Sequence, residues 1–200
     1  MTGAETSRRG RDSRIWLVAT FVIFGLTVAQ LIVATFVSGL DQFEGKGFGA
    51  RLVAYPLLMA AVPAVWLARR RLRNDASHVP WLAFALVMAP FLVDVTGNTL
   101  DLYDSLVWWD DANHFVNWLL LCAGCGLLLI RGTSAPRWIL VLAITGLGAL
   151  LAIGWELGEW YTFIRHGTEL DTAYEDTLGD EALGTAGGLV AALVVTARRR

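Results

Sequence analysis

The stretch LVWWDDANHFVNWLLLCAGCGLLLI, residues 106–130, joins two acids and a histidine to an almost uninterrupted apolar run. A run of about 20 apolar residues is long enough to cross the hydrocarbon core of a bilayer as a helix. Five further segments along the chain have this character, so the sequence predicts an all-α polytopic membrane protein with six transmembrane helices. The predicted spans are Ile15–Val37, Ala50–Ala68, Val79–Leu100, Leu106–Ile130, Trp138–Phe163 and Asp180–Ala197.

The composition of the 200 residues agrees with this class of protein. Hydrophobic residues make up 56% and charged residues 17%, against about 25% charged in a typical soluble domain. A disordered chain, a disulfide-rich scaffold and a nucleic-acid partner are therefore poor fits. Cys122 and Cys125 lie within the apolar run, where a packing role is favoured over a redox pair or half a zinc site.

Charged residues are sorted along the chain. Thirteen of the 16 basic residues precede the first span, follow the second or fourth span, or end the chain. Basic loops stay in the cytoplasm, so the pattern predicts a multi-pass protein of the plasma (inner) membrane with both termini cytoplasmic. Fifteen of the 18 acids fall on the opposite side. Acids contribute little to topology, so their bias needs another cause.

The predicted organisation is a single transmembrane domain over residues 1–200. Residues 1–14 form a basic cytoplasmic tail, and residues 15–68 form two scaffold helices. Residues 79–197 form the four helices that carry a polar site, which these spans enclose at the outer face.

Acidic and amide side chains cluster at the predicted outer ends of the last four spans. Residues three, four or seven apart share one face of a helix. Alternate spans run in opposite directions, so the sets reach the same depth in the membrane. They are Asp94, Asn98 and Asp101; Asp110, Asp111, His114 and Asn117; Glu156 and Glu159; and Asp176 and Asp180.

This clustering favours a divalent metal site. Ionised groups cost about 2.5–3.5 kcal/mol each at a helix centre in a bilayer, and neighbouring carboxylates repel one another. A cation offsets both effects, and oxygen ligands favour Mg, Mn or Ca while the histidine also suits Zn. The candidate ligands are Asp110, Asp111, His114, Glu156 and Asp180, with Glu159 or Asp176 as general base and Asp94, Asn98, Asp101 and Asn117 as secondary polar groups.

Other residues at these ends have simpler interpretations. Solvated loop positions are favoured for Asp41, Glu44, Asp104, Glu169, Asp171 and Glu175. An interfacial aromatic belt, or the wall of a lipid-binding cleft, would use Trp108, Trp109, Trp155 and Trp160. Close helix packing through G-x-x-x-G pairs is predicted at Gly154 and Gly158 and at Gly184 and Gly188.

Three motifs resemble those of a known family, the YjdF-type bacterial inner-membrane proteins. They are D-D-x-x-H-F at Asp110–Phe115, W-E-L-x-E-W at Trp155–Trp160 and D-T-x-x-D at Asp176–Asp180. The resemblance covers roughly residues 90–190, and a looser one to VanZ-like membrane proteins lacks the Arg and Asn of their last motif. The YjdF-type resemblance implies that the acids of these motifs and His114 form one functional unit. It does not indicate which reaction that unit would catalyse.

Three functions are compatible with these features. The first is a metal-dependent membrane hydrolase or transferase that acts on a lipid-linked or envelope substrate. The second is a transporter-like protein that binds cations or relays protons. The third is a structural or regulatory membrane protein whose acids hold helices together. The sequence leaves the substrate and the oligomeric state open.

Overall fold

A computed structural model describes residues 3–162, 164–166 and 173–197 of the protein. The described residues form helices and loops without any strand. Every helix except the short α4 is long and apolar enough to cross a membrane, which confirms the all-α class and the six candidate spanning helices. The helices are α1 (Gly3–Phe36), α2 (Phe48–Leu72), α3 (Trp81–Thr99), α4 (Leu102–Ser105), α5 (Trp109–Arg131), α6 (Arg137–Thr162) and α7 (Ala173–Thr196).

Some sequence-based expectations fall outside the described residues. These are the placement of Glu169, Asp171 and Phe163, the three C-terminal arginines Arg198–Arg200, and the side chains of Arg8, Arg9 and Arg11. The cytoplasmic placement of the termini stays a prediction.

Two helix ends differ from the prediction. Helix α7 begins at Ala173, ahead of the expected start at Asp180, so the acids of the D-T-x-x-D motif lie within the helix. Helix α3 ends at Thr99, and Asp101 takes a left-handed backbone conformation with φ 57°. The predicted helical face of Asp94, Asn98 and Asp101 is therefore wrong in its last member, because the helix has ended before Asp101.

The chain divides into two compact units, Met1–Thr99 and Leu100–Arg200. In the first unit, α1 and α3 run parallel: Thr20 Oγ1 donates to the Trp81 carbonyl at 3.2 Å, and Gln30 Nε2 donates to Thr96 Oγ1 at 3.2 Å. Helix α3 thus packs with α1 and α2, whereas the polar pattern predicted a grouping with the later helices. The single domain expected from the sequence stays a prediction.

In the second unit, α7 packs against both α5 and α6. Small residues permit this close approach. A Cβ on Gly148 would lie 3.2 Å from the Cα of Gly188 and 3.0 Å from Cys122 Sγ. Both cysteines are free thiols, and Cys122 is fully buried, so the packing interpretation of Cys122 is confirmed.

The two G-x-x-x-G pairs behave differently. Gly184 and Gly188 sit in close helix contacts, as predicted. Gly154 and Gly158 are exposed, and a Cβ at either would meet nothing within 4 Å. The predicted packing role of Gly154 and Gly158 is therefore wrong. The buried face of α6 is a different one, which carries Ile144, Gly148 and Ala152.

Candidate metal centre

The site begins at the first turns of α5, where Asp110 and His114 share one helix face. The distance from Asp110 Oδ1 to His114 Nε2 is 3.8 Å. His114 is buried, whereas the Asp110 side chain is 46% exposed. Asp110 is therefore the member of the pair that solvent reaches.

Helix α7 adds a buried carboxylate to the same nitrogen. Asp180 Oδ1 lies 3.5 Å from His114 Nε2, and Asp180 is only 3% exposed. One ligand atom from each of Asp110, His114 and Asp180 lies within 4.8 Å of the other two. Ligands about 2.0–2.2 Å from an ion are about 3.0–3.4 Å apart from one another. A shift of a few tenths of an ångström would bring Asp110 and Asp180 into that range of His114 Nε2.

Helix α6 contributes carboxylates on the other side of the imidazole. Glu156 Oε1 lies 3.9 Å from His114 Nδ1. Glu159, one turn along α6, completes a second group with Glu156 and His114 in which the ligand atoms again lie within 4.8 Å. The imidazole of His114 thus stands between carboxylates, with Asp110 and Asp180 at Nε2 and Glu156 at Nδ1.

The carboxylate of Glu156 is held from one side only. Thr177 Oγ1 on α7 donates a hydrogen bond to Glu156 Oε2 at 3.3 Å. The other oxygen, Oε1, is buried and has no hydrogen-bond partner among the described residues, although the residue is only 6% exposed. A buried carboxylate oxygen without a partner is costly, so this atom indicates that a proton donor or a cation belongs at the site.

Glycines of α7 set the distance between α5 and α7 beside this site. A Cβ on Gly187 would lie 2.4 Å from the carbonyl oxygen of Phe115, the residue after His114. A Cβ on Gly184 would lie 2.6 Å from the Trp118 ring. Only hydrogen fits at these two positions, and the close approach that results brings Asp180 to His114.

A second polar group lies next to the carboxylates. Asn113 donates to Tyr103 Oη, and Asn117 Nδ2 donates to Asn113 Oδ1 at 2.7 Å. Asn117 therefore belongs to a network of neutral side chains with Asn113 and Tyr103.

Several predicted site residues lie elsewhere. Asp111 and Asp176 are exposed and belong to neither carboxylate group, although Asp176 lies close enough to Glu156 and Asp180 to repel them electrostatically. Asp94 lies in the first unit, where Oδ2 accepts from Arg51 Nη1 at 3.0 Å and from Tyr55 Oη at 2.7 Å. Asn98 donates to the backbone carbonyl of Asp94. Asp94 is thus the anion of a largely buried ion pair.

Sequence reasoning missed three residues that the structure makes relevant. Arg51 and Tyr55 are four apart on α2, a spacing that places both on one face, and their type matches the acid at Asp94. Thr177 lies inside the quoted D-T-x-x-D motif, but nothing in the sequence indicated that its hydroxyl meets Glu156. Arg165 also lies near this end of α6, where its guanidinium carbon is 3.7 Å from the centroid of the Tyr161 ring.

Tryptophans surround the same end of the second unit. Trp108 is 58% exposed and Trp160 is 49% exposed. Trp109 packs edge-on against Tyr103 with ring centroids 6.4 Å apart. The exposed rings agree with an interfacial belt, in which aromatic side chains sit at the level of the lipid head groups.

The six candidate spanning helices and the polar site at one end of α5, α6 and α7 define a multi-pass membrane protein. The chain belongs to the family described as "Predicted membrane protein (DUF2238)", whose model matches residues 19–200. The resemblance to YjdF-type proteins is consistent with this membership, and the one to VanZ-like proteins is not confirmed. Comparison with curated proteins and with solved structures finds no match.

Proposed function

We propose that this membrane protein holds a divalent metal ion at His114 and uses it on a lipid-linked or envelope substrate, as a hydrolase or transferase. The observation that carries the proposal is the meeting of Asp110, His114 and Asp180, whose ligand atoms lie within 4.8 Å of one another although His114 and Asp180 are buried. A cation is the simplest partner for such a cluster. The ion would lie among Asp110, His114, Glu156 and Asp180.

The charges of the described residues support a cation. Three carboxylates approach a single imidazole, at distances of 3.5, 3.8 and 3.9 Å. The three carboxylates carry more negative charge than one imidazolium can balance. A dication would lower their mutual repulsion and would replace the water lost on burial. Mg, Mn or Ca suit the oxygen ligands, and Zn suits a site that includes histidine.

A bound ion would give this site a chemical use. It would polarise a phosphoryl or acyl oxygen, or lower the pKa of a bound water. Asp110 is half exposed, which leaves the ion open on one side. Glu159, one turn from Glu156 on α6, would accept a proton from the attacking group.

The site is proposed to face outward from the plasma membrane. The basic residues after α2 and around the α5–α6 connection are typical of cytoplasmic loops, which puts the first turns of α5 on the other side. Exposed apolar residues near the site, Val107 and Trp108 among them, would lie among lipid head groups. An amphiphilic substrate would reach the ion from the outer leaflet.

Metal analysis of the detergent-purified protein tests the proposal. Wild type is expected to retain about one divalent ion per chain after dialysis. His114→Ala is expected to lose it, and Glu156→Ala is expected to retain less of it. The sharpest comparison is Asp110→Asn with Asp111→Asn, because these neighbours differ by one position and only Asp110 faces His114. Loss in Asp110→Asn with retention in Asp111→Asn supports the site.

The same experiment separates the other two functions. A wild type that holds no stoichiometric metal, with lowered thermal stability in His114→Ala, would favour a structural or regulatory role. Proton or cation flux in liposomes that depends on Glu156 would favour a transporter-like role. The metal-dependent hydrolase or transferase needs both retained metal and the absence of such flux.

A further inference from the structure

The two carboxylate groups share one imidazole, which limits how a metal ion can use them. A neutral imidazole offers a lone pair on one nitrogen and keeps a proton on the other. An ion at Nε2 leaves the Nδ1 proton facing Glu156, and an ion at Nδ1 leaves the Nε2 proton facing Asp110 and Asp180. For a single ion, these two positions exclude each other.

We infer that the ion binds at His114 Nε2 together with Asp110 and Asp180, and that Glu156 accepts the Nδ1 proton as a positioning residue. This assignment rests on the proposed function and divides the four residues around the ion into ligands and support. Glu156, a candidate ligand by sequence, becomes the group that fixes the tautomer and the ring orientation of the ligand.

Distances favour the Nε2 side. Asp180 and Asp110 approach Nε2 to 3.5 and 3.8 Å, whereas Glu156 is 3.9 Å from Nδ1. The Nε2 ligands come from two helices, α5 and α7, which the glycine at position 187 holds in close contact. That rigid contact gives the ligands the fixed geometry that a metal site needs.

Hydrogen bonding explains the part of Glu156. Thr177 Oγ1 already donates a hydrogen bond to Glu156 Oε2, and this bond fixes the plane of the carboxylate. The buried Oε1 then faces Nδ1 and lacks a donor among the described residues. Metal-bound histidines usually donate their second N–H to a carboxylate or a carbonyl. The series Thr177, Glu156, His114 and metal reproduces that arrangement.

The assignment leaves Glu159 outside the coordination sphere. It lies within 4.8 Å of the Nδ1-side group, one helical turn from Glu156. A carboxylate near an ion but not bound to it keeps its oxygens free to accept a proton, which a general base must do. The roles of the two α6 carboxylates are therefore different, although both belong to the W-E-L-x-E-W motif.

Nuclear magnetic resonance of the imidazole nitrogens tests the assignment without any substrate. The full chain, labelled with ring-¹⁵N histidine and loaded with ¹¹³Cd²⁺ in detergent, has only 3 histidines. The His114→Gln variant identifies the signals of His114. We expect cadmium coupling at Nε2 and a retained proton at Nδ1.

A pair of variants gives a second readout. Glu156→Gln keeps an acceptor oxygen for Nδ1–H, so cadmium should still bind at Nε2, with affinity about 10–100-fold weaker. Asp180→Asn removes a ligand, so cadmium coupling to His114 should disappear. Glu175→Gln, which changes an exposed acid in the first turn of α7, is the matched control and should bind like wild type.

Each result has a definite meaning. Coupling at Nδ1 overturns the assignment and leaves the proposed metal site standing. Bound cadmium without coupling to either nitrogen of His114 also overturns it. A protein that binds no stoichiometric cadmium, zinc or manganese overturns the proposed function as well. Stronger loss in Glu156→Gln than in Asp180→Asn identifies Glu156 as a ligand and refutes its positioning role.

Discussion

Replacing Gly187 by alanine should loosen the metal site through the backbone alone. The new Cβ would lie 2.4 Å from the Phe115 carbonyl oxygen and 3.0 Å from the Leu119 nitrogen. Both atoms are backbone atoms of α5, so no side chain can rotate away. Because real Cβ contacts stay above 3.0 Å, the two helices must separate locally by at least about 0.6 Å.

The consequence is expected in two measurements. Overpacking of this kind costs about 1–3 kcal/mol, and each kcal/mol lowers Tm by about 2–4 °C in a chain of this size. Phe115 follows His114, so the same separation moves the imidazole away from Asp180, now at 3.5 Å from it. Misplacing a ligand should weaken metal binding about 10–100-fold. Thermal unfolding followed by circular dichroism and titration calorimetry in detergent measure both effects.

Gly158→Ala is the matched control for this prediction. Gly158 lies near the site, two positions after Glu156, but a Cβ there meets nothing within 4 Å. Alanine in a helix interior should raise stability by about 0.5–1 kcal/mol relative to glycine, with metal affinity unchanged. A Gly187→Ala protein that melts and binds metal like wild type would refute the packing argument.

Three further predictions concern other parts of the chain. Arg51→Gln leaves the Asp94 carboxylate largely buried without its cation, so it should lower the free energy of unfolding by about 3–5 kcal/mol. Adding Asp94→Asn should recover much of that loss. Additive effects in the double-mutant cycle would contradict a coupled pair. Hydrogen bonds from the Ser77 backbone and hydroxyl hold the pKa of Asp75 below its usual value, so its contribution to stability is present at neutral pH and lost as pH falls through that lowered pKa; an NMR titration with an ordinary pKa would contradict this. The orientation can be tested with single cysteines in a background where Cys122 and Cys125 are changed to alanine. A cysteine at Ser134 should react with an impermeant maleimide only from the cytoplasm, and one at Ser105 only from outside. The reverse pattern would overturn the orientation.

The spans were predictable from sequence because each helix must supply its own apolar length. In the α5 stretch, the acids, the histidine and the apolar run were all visible in one line of sequence. Asp110 with His114, and Glu156 with Glu159, follow from helical spacing alone. Glycine patterns were less reliable: the same G-x-x-x-G spacing marks a contact at Gly184 and Gly188 and an exposed surface at Gly154 and Gly158, because spacing does not say which face meets another helix.

Helical spacing also could not predict which partner each acid meets. Asp94 and Asp110 both lie near helix ends with polar residues four positions away. Asp94 meets Arg51 and Tyr55, a satisfied ion pair, while Asp110 meets the His114 imidazole. The difference depends on which helices pack together, and Arg51 is far from Asp94 in sequence.

The sequence by itself determined the membrane class, the number of spanning helices and the residue types gathered at their ends, because hydropathy and helical periodicity are local properties. Only the tertiary structure decided which carboxylate faces which nitrogen of His114, that Thr177 holds Glu156, and that Asp111 and Asp176 stay outside. Those facts depend on side chains from three helices meeting at distances of 3–4 Å. Such distances are set by the packing of glycines against neighbouring backbones, which no single segment encodes.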